Sequence, residues 1–373
     1  NQDGTFSESI EKMIGHTSRF SMGNNIADLN NDGYPEIMTL DMLPDDEEVL
    51  KNSAGEDPFE IYKLKLKFGY EPQFARNSLQ LNNGDGTFSD VALMWGVAAT
   101  DWSWSPLLAD FDNDGDLDLL SHTRGTDDVS YYGNMNGILQ LVNSQLQTPS
   151  GFPVYGGQFV IPNVTDIDAD GYLDYFIGDI TGRLTYYAGQ EYSDTGPQFE
   201  FVSDHFENIQ IVWTPGRHGA NSIFFNDLDN DSDLDLIWGD FYQPGLFYLE
   251  NFGNNTDPHF VDSLMVDDFP GLGLLETAGF NIPRIIDFEP DGTGDLVVGV
   301  LSGAYGTDYI HNLAYFKNNG AGVEYDFQLV TMDLLPGLDL ISGSRPVLAD
   351  LDGDNDHDLV VGKPGHGPGA DCR

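Results

Sequence analysis

Cations are the scarcest class of side chain. Against 62 Asp and Glu stand only 15 Lys and Arg, for a formal net charge of −47, so nucleic acid or an anionic membrane surface would be repelled unless a local basic patch intervened. Cysteine is almost absent, and the single Cys372 can close no internal disulfide, which excludes a small disulfide-stapled scaffold. No apolar run approaches the roughly 20 residues of a membrane helix. The chain starts at Asn1 with neither Met nor a signal sequence, and reads as a mature or truncated piece of an exported protein. GxSxG, GxxxxGKS/T and a strand-borne GxGxxG are missing, and the eight His show no HExxH or paired spacing. Neither a nucleophile nor a zinc site is declared.

What is present is enough for a large core. The 373 residues are 40% hydrophobic and include 24 Phe, 17 Tyr and 5 Trp, which excludes a disordered chain and fits one large repeat domain. The acidic residues are not scattered. The stretch Asp110-Phe111-Asp112-Asn113-Asp114-Gly115-Asp116-Leu117-Asp118 recurs six times with small changes, its first positions separated by 82, 56, 61, 60 and 63 residues.

Aligned on position 1, the loops begin at Asp28, Asp110, Asp166, Asp227, Asp287 and Asp350. Position 3 is Asn30, Asp112, Asp168, Asp229, Glu289 and Asp352; position 5 is Asp32, Asp114, Asp170, Asp231, Asp291 and Asp354. Position 7, expected to add a backbone carbonyl, is Tyr34, Asp116, Tyr172, Asp233, Thr293 and Asp356, and position 9 is Glu36, Asp118, Asp174, Asp235, Asp295 and Asp358. Every donor is a hard oxygen, the set that suits Ca2+ rather than zinc or copper, so about six calcium ions are expected. Positions 1, 3, 5 and 9 hold 23 carboxylates, and six ions would return +12 of charge. Gly at position 6 suits the sharp turn; Ser232 and Asn355 replace it in two loops, and Asn30 lowers the charge of the first. The loops at Asp28 and Asp227 are therefore expected to be the weakest.

An EF-hand is excluded. Position 12 is Thr39, Ser121, Ile177, Trp238, Val298 and Val361 where a bidentate Glu would be needed. Apolar strand-like runs follow the loops instead, at 117–120, 175–177, 234–238, 296–300 and 359–361. A third strand is expected at 79–83, 138–143, 183–189, 246–251 and 313–318, and a fourth at 86–90, 197–201, 258–262 and 325–329. Four antiparallel strands repeated every sixty residues describe an all-β β-propeller, one domain over 1–373, of six or seven blades. Residues 3–7 read as an outer strand able to complete the last blade. An insertion at about 45–76 breaks the period, carries five of the fifteen cations and predicts a helix over 58–68.

The loop, the run after it and the aromatic strand together resemble the FG-GAP/VCBS repeat family, the repeat of the integrin α-chain propeller. Asn25–Gly33, Leu40–Pro44, Leu79–Phe88 and Asp101–Pro106 are similar to bacterial relatives of cartilage acidic protein. The resemblance implies a calcium-stabilised, extracellular or surface-associated propeller used for adhesion or recognition of a protein or glycan. The alternatives are a calcium-dependent polysaccharide-degrading enzyme, whose paired carboxylates would hide among so many acids, and a structural spacer of a larger surface protein. Trp102 and Trp104, expected on one face of a strand entering the second loop, are candidates for stacking on sugar; large aromatics beside strands otherwise belong to the core.

Overall fold

The structure is a computed structural model that describes residues 6–52, 57–123, 127–157, 160–211, 221–271, 273–288, 291–300, 311–320, 325–336 and 344–362. Contacts divide the chain into two compact units, residues 1–146 with 194–196 and 347–373, and residues 147–193 with 197–346.

The first unit holds two four-stranded antiparallel blades. One is Gly23–Ala27, Glu36–Leu40, Ser78–Asn82 and Phe88–Asp90; the next is Leu107–Ala109, Asp118–Thr123, Asp128–Asn134 and Leu139–Asn143. The second unit holds three more: Asn163–Thr165, Asp174–Gly178, Leu184–Ser193 and Gly196–Ser203; then Asn221–Asn226, Asp235–Asp240, Leu246–Leu249 and Val266–Phe269; then Asn281–Ile286, Asp295–Val300, Leu313–Asn318 and Phe327–Thr331. The fourth blade gains a short parallel strand, Val160–Ile161, outside its first strand. Arg345–Ala349 and Asp358–Gly362 form a two-stranded sheet around the last loop. The fold is thus an all-β propeller architecture, but the expectation of six or seven blades is corrected to five blades of four or five strands among the described residues. The sixth loop sits in a two-stranded sheet among the described residues.

The second strand of each blade explains the apolar run after each loop. Every residue of Glu36–Leu40, Asp174–Gly178, Asp235–Asp240 and Asp295–Val300 is buried, on both faces of the pleat. A strand covered on one face would alternate; one packed on both reads as a continuous hydrophobic stretch. Phe176, Trp238 and Phe316 are fully buried, each contributing about 1.5–3 kcal/mol by leaving water. Trp238 is therefore core.

Four second strands carry a glycine four residues after position 9, and each meets the start of the next first strand. A Cβ on Gly178 would lie 2.1 Å from Asn221 Oδ1, on Gly239 1.8 Å from the Asn281 carbonyl, and on Gly299 2.3 Å from the Ser344 carbonyl. On Gly362 it would lie 2.9 Å from Asn24 Oδ1, so the last strand meets the first blade in the same way. Leu351 also packs with Ile37 and Phe88, while Met13 and Ile14 lie against the same cluster.

Several expectations about strands are corrected. In the second blade, 139–143 is the outermost strand, since Asp128–Asn134 takes the third position. Residues 258–262 form only an isolated bridge at Phe260, and the outer strand is Val266–Phe269. Residues 6–9 carry no strand, and 3–5 lie outside the described residues. Trp102 and Trp104 precede the strand Leu107–Ala109 rather than alternating within it, where Asp101 has a left-handed backbone (φ 58°).

The insertion contains Glu47–Asn52 and the expected helix, Phe59–Lys67. Pro58 opens the helix, in keeping with its fixed φ and missing donor. It buries no residue. Tyr62 stacks on Phe74, and Lys65 and Arg19 share Asp57 at 2.5 and 3.0 Å. Among the described residues no helix is long and apolar enough to cross a membrane.

Candidate metal centres

All six loops join the first strand to the second strand of a sheet, and their described residues fold alike. The position 6 N–H donates to the position 1 carboxylate, from Gly33, Gly115, Gly171, Ser232, Gly292 and Asn355, at 2.8–3.1 Å. The position 7 N–H donates to the position 5 carboxylate at 2.8–3.1 Å. These bonds require a left-handed residue at position 6, whose φ runs from 68° at Asn355 to 93° at Gly115. Ser232 adopts it as well, at 79°. Position 4 is left-handed too in Asn31, Asn113, Ala169, Asn230 and Gly353; the run of Asn there was the unread signal.

Position 9 does more than close a cage. One carboxylate oxygen accepts the position 2 N–H, as in Glu36 from Leu29 at 2.8 Å and Asp174 from Ile167 at 2.9 Å. The other accepts a backbone N–H from the third strand: Asn134 to Asp118 at 2.7 Å, Gly189 to Asp174 at 2.8 Å, Asn251 to Asp235 at 2.9 Å, and Asn318 to Asp295 at 2.7 Å. A tyrosine three residues earlier on that strand adds its hydroxyl, Tyr131 to Asp118 at 3.0 Å, Tyr186 to Asp174 at 3.3 Å and Tyr315 to Asp295 at 3.2 Å. Position 9 therefore braces loop to sheet. The Tyr-x-x-Asn/Gly spacing was legible in the sequence but unread.

Burial makes these carboxylates expensive to ionise. It pushes Glu36 up to about 7 against the opposing N–H bonds of Leu29 and Asn82, Asp118 to about 6, and Asp174 and Asp235 to about 7. At position 3, burial and then the neighbouring position 5 carboxylate raise Asp112, Asp168 and Asp229. Uncompensated negative charge is crowded at each of these loops.

Carboxylate oxygens from three residues lie within 4.8 Å of one another at Asp110, Asp112 and Asp118; at Asp166, Asp168 and Asp174; at Asp227, Asp229 and Asp231; and at Asp350, Asp352 and Asp358. These clusters could hold metal ions. The Asp28 loop forms no such triplet among the described residues: Asn30 supplies an amide, and its Oδ1 accepts the Asp32 N–H at 2.9 Å. Glu289 lies outside the described residues, leaving Asp287, Asp291, Thr293 and Asp295 described in that loop. Asp114, Asp170 and Asp354 stand outside the triplets, and among the position 7 residues Asp116 turns to the neighbouring loop, where its Oδ1 accepts Asn31 Nδ2 at 2.6 Å. In the Asp227 loop the buried Oδ1 atoms of Asp227 and Asp233 have no hydrogen-bond partner. An all-oxygen donor set with orphaned carboxylate oxygens fits a hard cation.

Residues 71–121, spanning the third and fourth strands of the first blade and the whole second loop, match the FG-GAP-like repeat model. That segment is similar to an FG-GAP-like repeat, and the blades around it give the chain a β-propeller arrangement. No curated protein sequence matches it. Solved structures similar to this chain include an Agrocybe aegerita lectin described as recognising non-reducing terminal N-acetylglucosamine, 17% identical, covering 91% of this chain and 73% of that one with a TM-score of 0.46. The periplasmic gluconolactonase of Pseudomonas aeruginosa is 12% identical over 83% of this chain and 73% of its own, at a TM-score of 0.39. The V. cholerae biofilm matrix protein Bap1 is 13% identical over 83% of this chain and 39% of its own, at 0.35.

Proposed function

We propose that this chain is a calcium-stabilised recognition module that works outside the cell. One observation carries the reading: a single loop geometry recurs along the chain and brings three carboxylates within 4.8 Å of one another in four of the loops, on a protein of net charge −47. Calcium would be held by positions 1, 3 and 9 in the Asp110, Asp166 and Asp350 loops and by positions 1, 3 and 5 in the Asp227 loop, with position 9 also bracing the cage to the third strand. Bound there, it neutralises the crowded charge and fixes the link between first and second strands. Oxygen cages of this kind fill at extracellular calcium and stay largely empty in cytosol, which supports export. The partner is a protein or a glycan engaged on a propeller face, as the FG-GAP resemblance implies.

The test is incubation of the full chain with neutral and acidic polysaccharides, in calcium and then in chelator, scoring retention and released oligosaccharides. Calcium-dependent retention without products supports glycan recognition. Released products would replace the reading with a polysaccharide-degrading enzyme, and neither outcome would direct the search to a protein partner.

A further inference from the structure

The six loops are not equal. In the Asp227 loop, Asp233 at position 7 is only 4% exposed, and its buried Oδ1 has no hydrogen-bond partner. Burial and then Asp231, within hydrogen-bonding reach, push its carboxyl up to about 6, with the charges of Asp229 and Asp227 adding to the shift. The equivalent Asp116 is turned away and occupied by Asn31, and the other loops place Tyr, Thr or a more exposed Asp there. A second difference lies on the third strand. The residue just before the one whose N–H meets position 9 is Leu81, Gly133, Ala188, Glu250 and Lys317 in successive blades. Burial and then the charges of Asp229 and Asp231 raise the Glu250 carboxyl, whereas Lys317 approaches Asp291 at 3.8 Å.

We infer that the Asp227 loop is the tightest cation site of the chain, with the buried Asp233 side chain as an additional carboxylate ligand and Glu250 as a further negative charge on the adjoining strand end. Lys317 makes the Asp287 loop a weaker site by competing for Asp291. Affinity in such cages follows the number of charged ligands, and an uncompensated carboxylate attracts a divalent ion far more strongly in a buried setting than in water. The loop expected to be weak because Ser232 replaces glycine is thus the most charged, since backbone strain at one residue is outweighed by two additional carboxylates.

The inference rests on the loops binding calcium, and the test separates the two claims. Calcium is titrated into the full chain against a chromophoric chelator, for the native protein and for Asp233→Asn, Glu250→Gln, Asp116→Asn and Lys317→Glu. Asp233→Asn and Glu250→Gln are expected to weaken the tightest step by on the order of tenfold each, Asp116→Asn to leave that step unchanged, and Lys317→Glu to tighten a weaker one. Far-UV circular dichroism verifies that each variant is folded, and Glu250→Gln carries the test if Asp233→Asn is not. A tightest step untouched by both variants overturns the inference while leaving calcium binding intact; no calcium uptake by the native chain overturns the calcium reading itself.

Discussion

The Asn134 side chain donates to the Leu29 carbonyl at 2.7 Å, tying the third strand of the second blade to the first loop. The same amide reaches Leu117 in its own loop at 3.0 Å. Asn82 does the equivalent, donating to the Leu351 carbonyl of the last loop at 2.8 Å and to Pro35 of its own loop at 3.3 Å. One asparagine thus couples two successive loops. Replacing it leaves two carbonyls without their donor: Asn134→Ala is expected to cost about 1–3 kcal/mol, read from urea unfolding with an unchanged slope. A loss confined to a few tenths would remove the latch from the account.

The blade-to-blade glycines predict a larger effect. Gly239→Ala puts a methyl group into the Asn281 backbone, and Gly299→Ala puts one against the Ser344 carbonyl. Backbone cannot yield as a flexible side chain can, so each should lose at least about 2 kcal/mol. Gly362→Ala meets only the Asn24 and Ser21 side chains and should cost less than either.

Position 6 offers paired substitutions of opposite sign. Gly115→Ala has open space around the new Cβ yet must hold φ near 93°, a penalty of about 1–2 kcal/mol. Ser232→Gly, at φ 79°, relieves the same strain and should gain up to about 1 kcal/mol. Thermal unfolding of the calcium-loaded protein compares them; equal melting temperatures would mean that the turn relaxes.

Acid stability has a local origin at Asp90. Burial alone would raise this carboxyl, but hydrogen bonds from His16, the Ala92 N–H and the Arg76 guanidinium outweigh it and hold it at about 2. Because that lies below the unfolded value of 3.8, the contribution to stability is present above about pH 4 and is lost as pH falls through about 2. The stability gap between native protein and Asp90→Asn should narrow over that window. A gap independent of pH there would contradict the assignment.

Calcium removal should lower the melting temperature markedly, with the metal-free chain gaining from acidification instead. In the metal-free form Glu36, Asp118, Asp174 and Asp235 have folded values of about 6 to 7, above their unfolded ones. Their contribution is complete below about pH 4 and lost as pH rises through 6 to 7. Differential scanning calorimetry with chelator across pH 5 to 8 measures the trend; an unchanged melt on chelation would remove calcium from the account.

Much of this was legible in the chain, and for a local reason. A loop whose donors and turn residue lie within nine positions is written in consecutive residues, as at Asp110–Asp118, and sixfold repetition revealed the strand–loop–strand unit and the apolar run behind it. The helix at Phe59–Lys67 was local as well. Outer strands were less legible: Val266–Phe269 is preceded by a turn-rich segment, and its pairing with Leu246–Leu249 comes from the sheet rather than from its own pattern.

By itself, then, the sequence determined the loop chemistry, the all-β repeat and the acidic character, because each depends on residue type and near-neighbour spacing. Only the tertiary structure decided which carboxylates converge, that position 9 braces the third strand, that Asp233 turns inward where Asp116 turns away, and that Gly362 meets Asn24. Those outcomes depend on atoms brought together from distant parts of the chain, whose burial and backbone contacts exist only once the blades have packed.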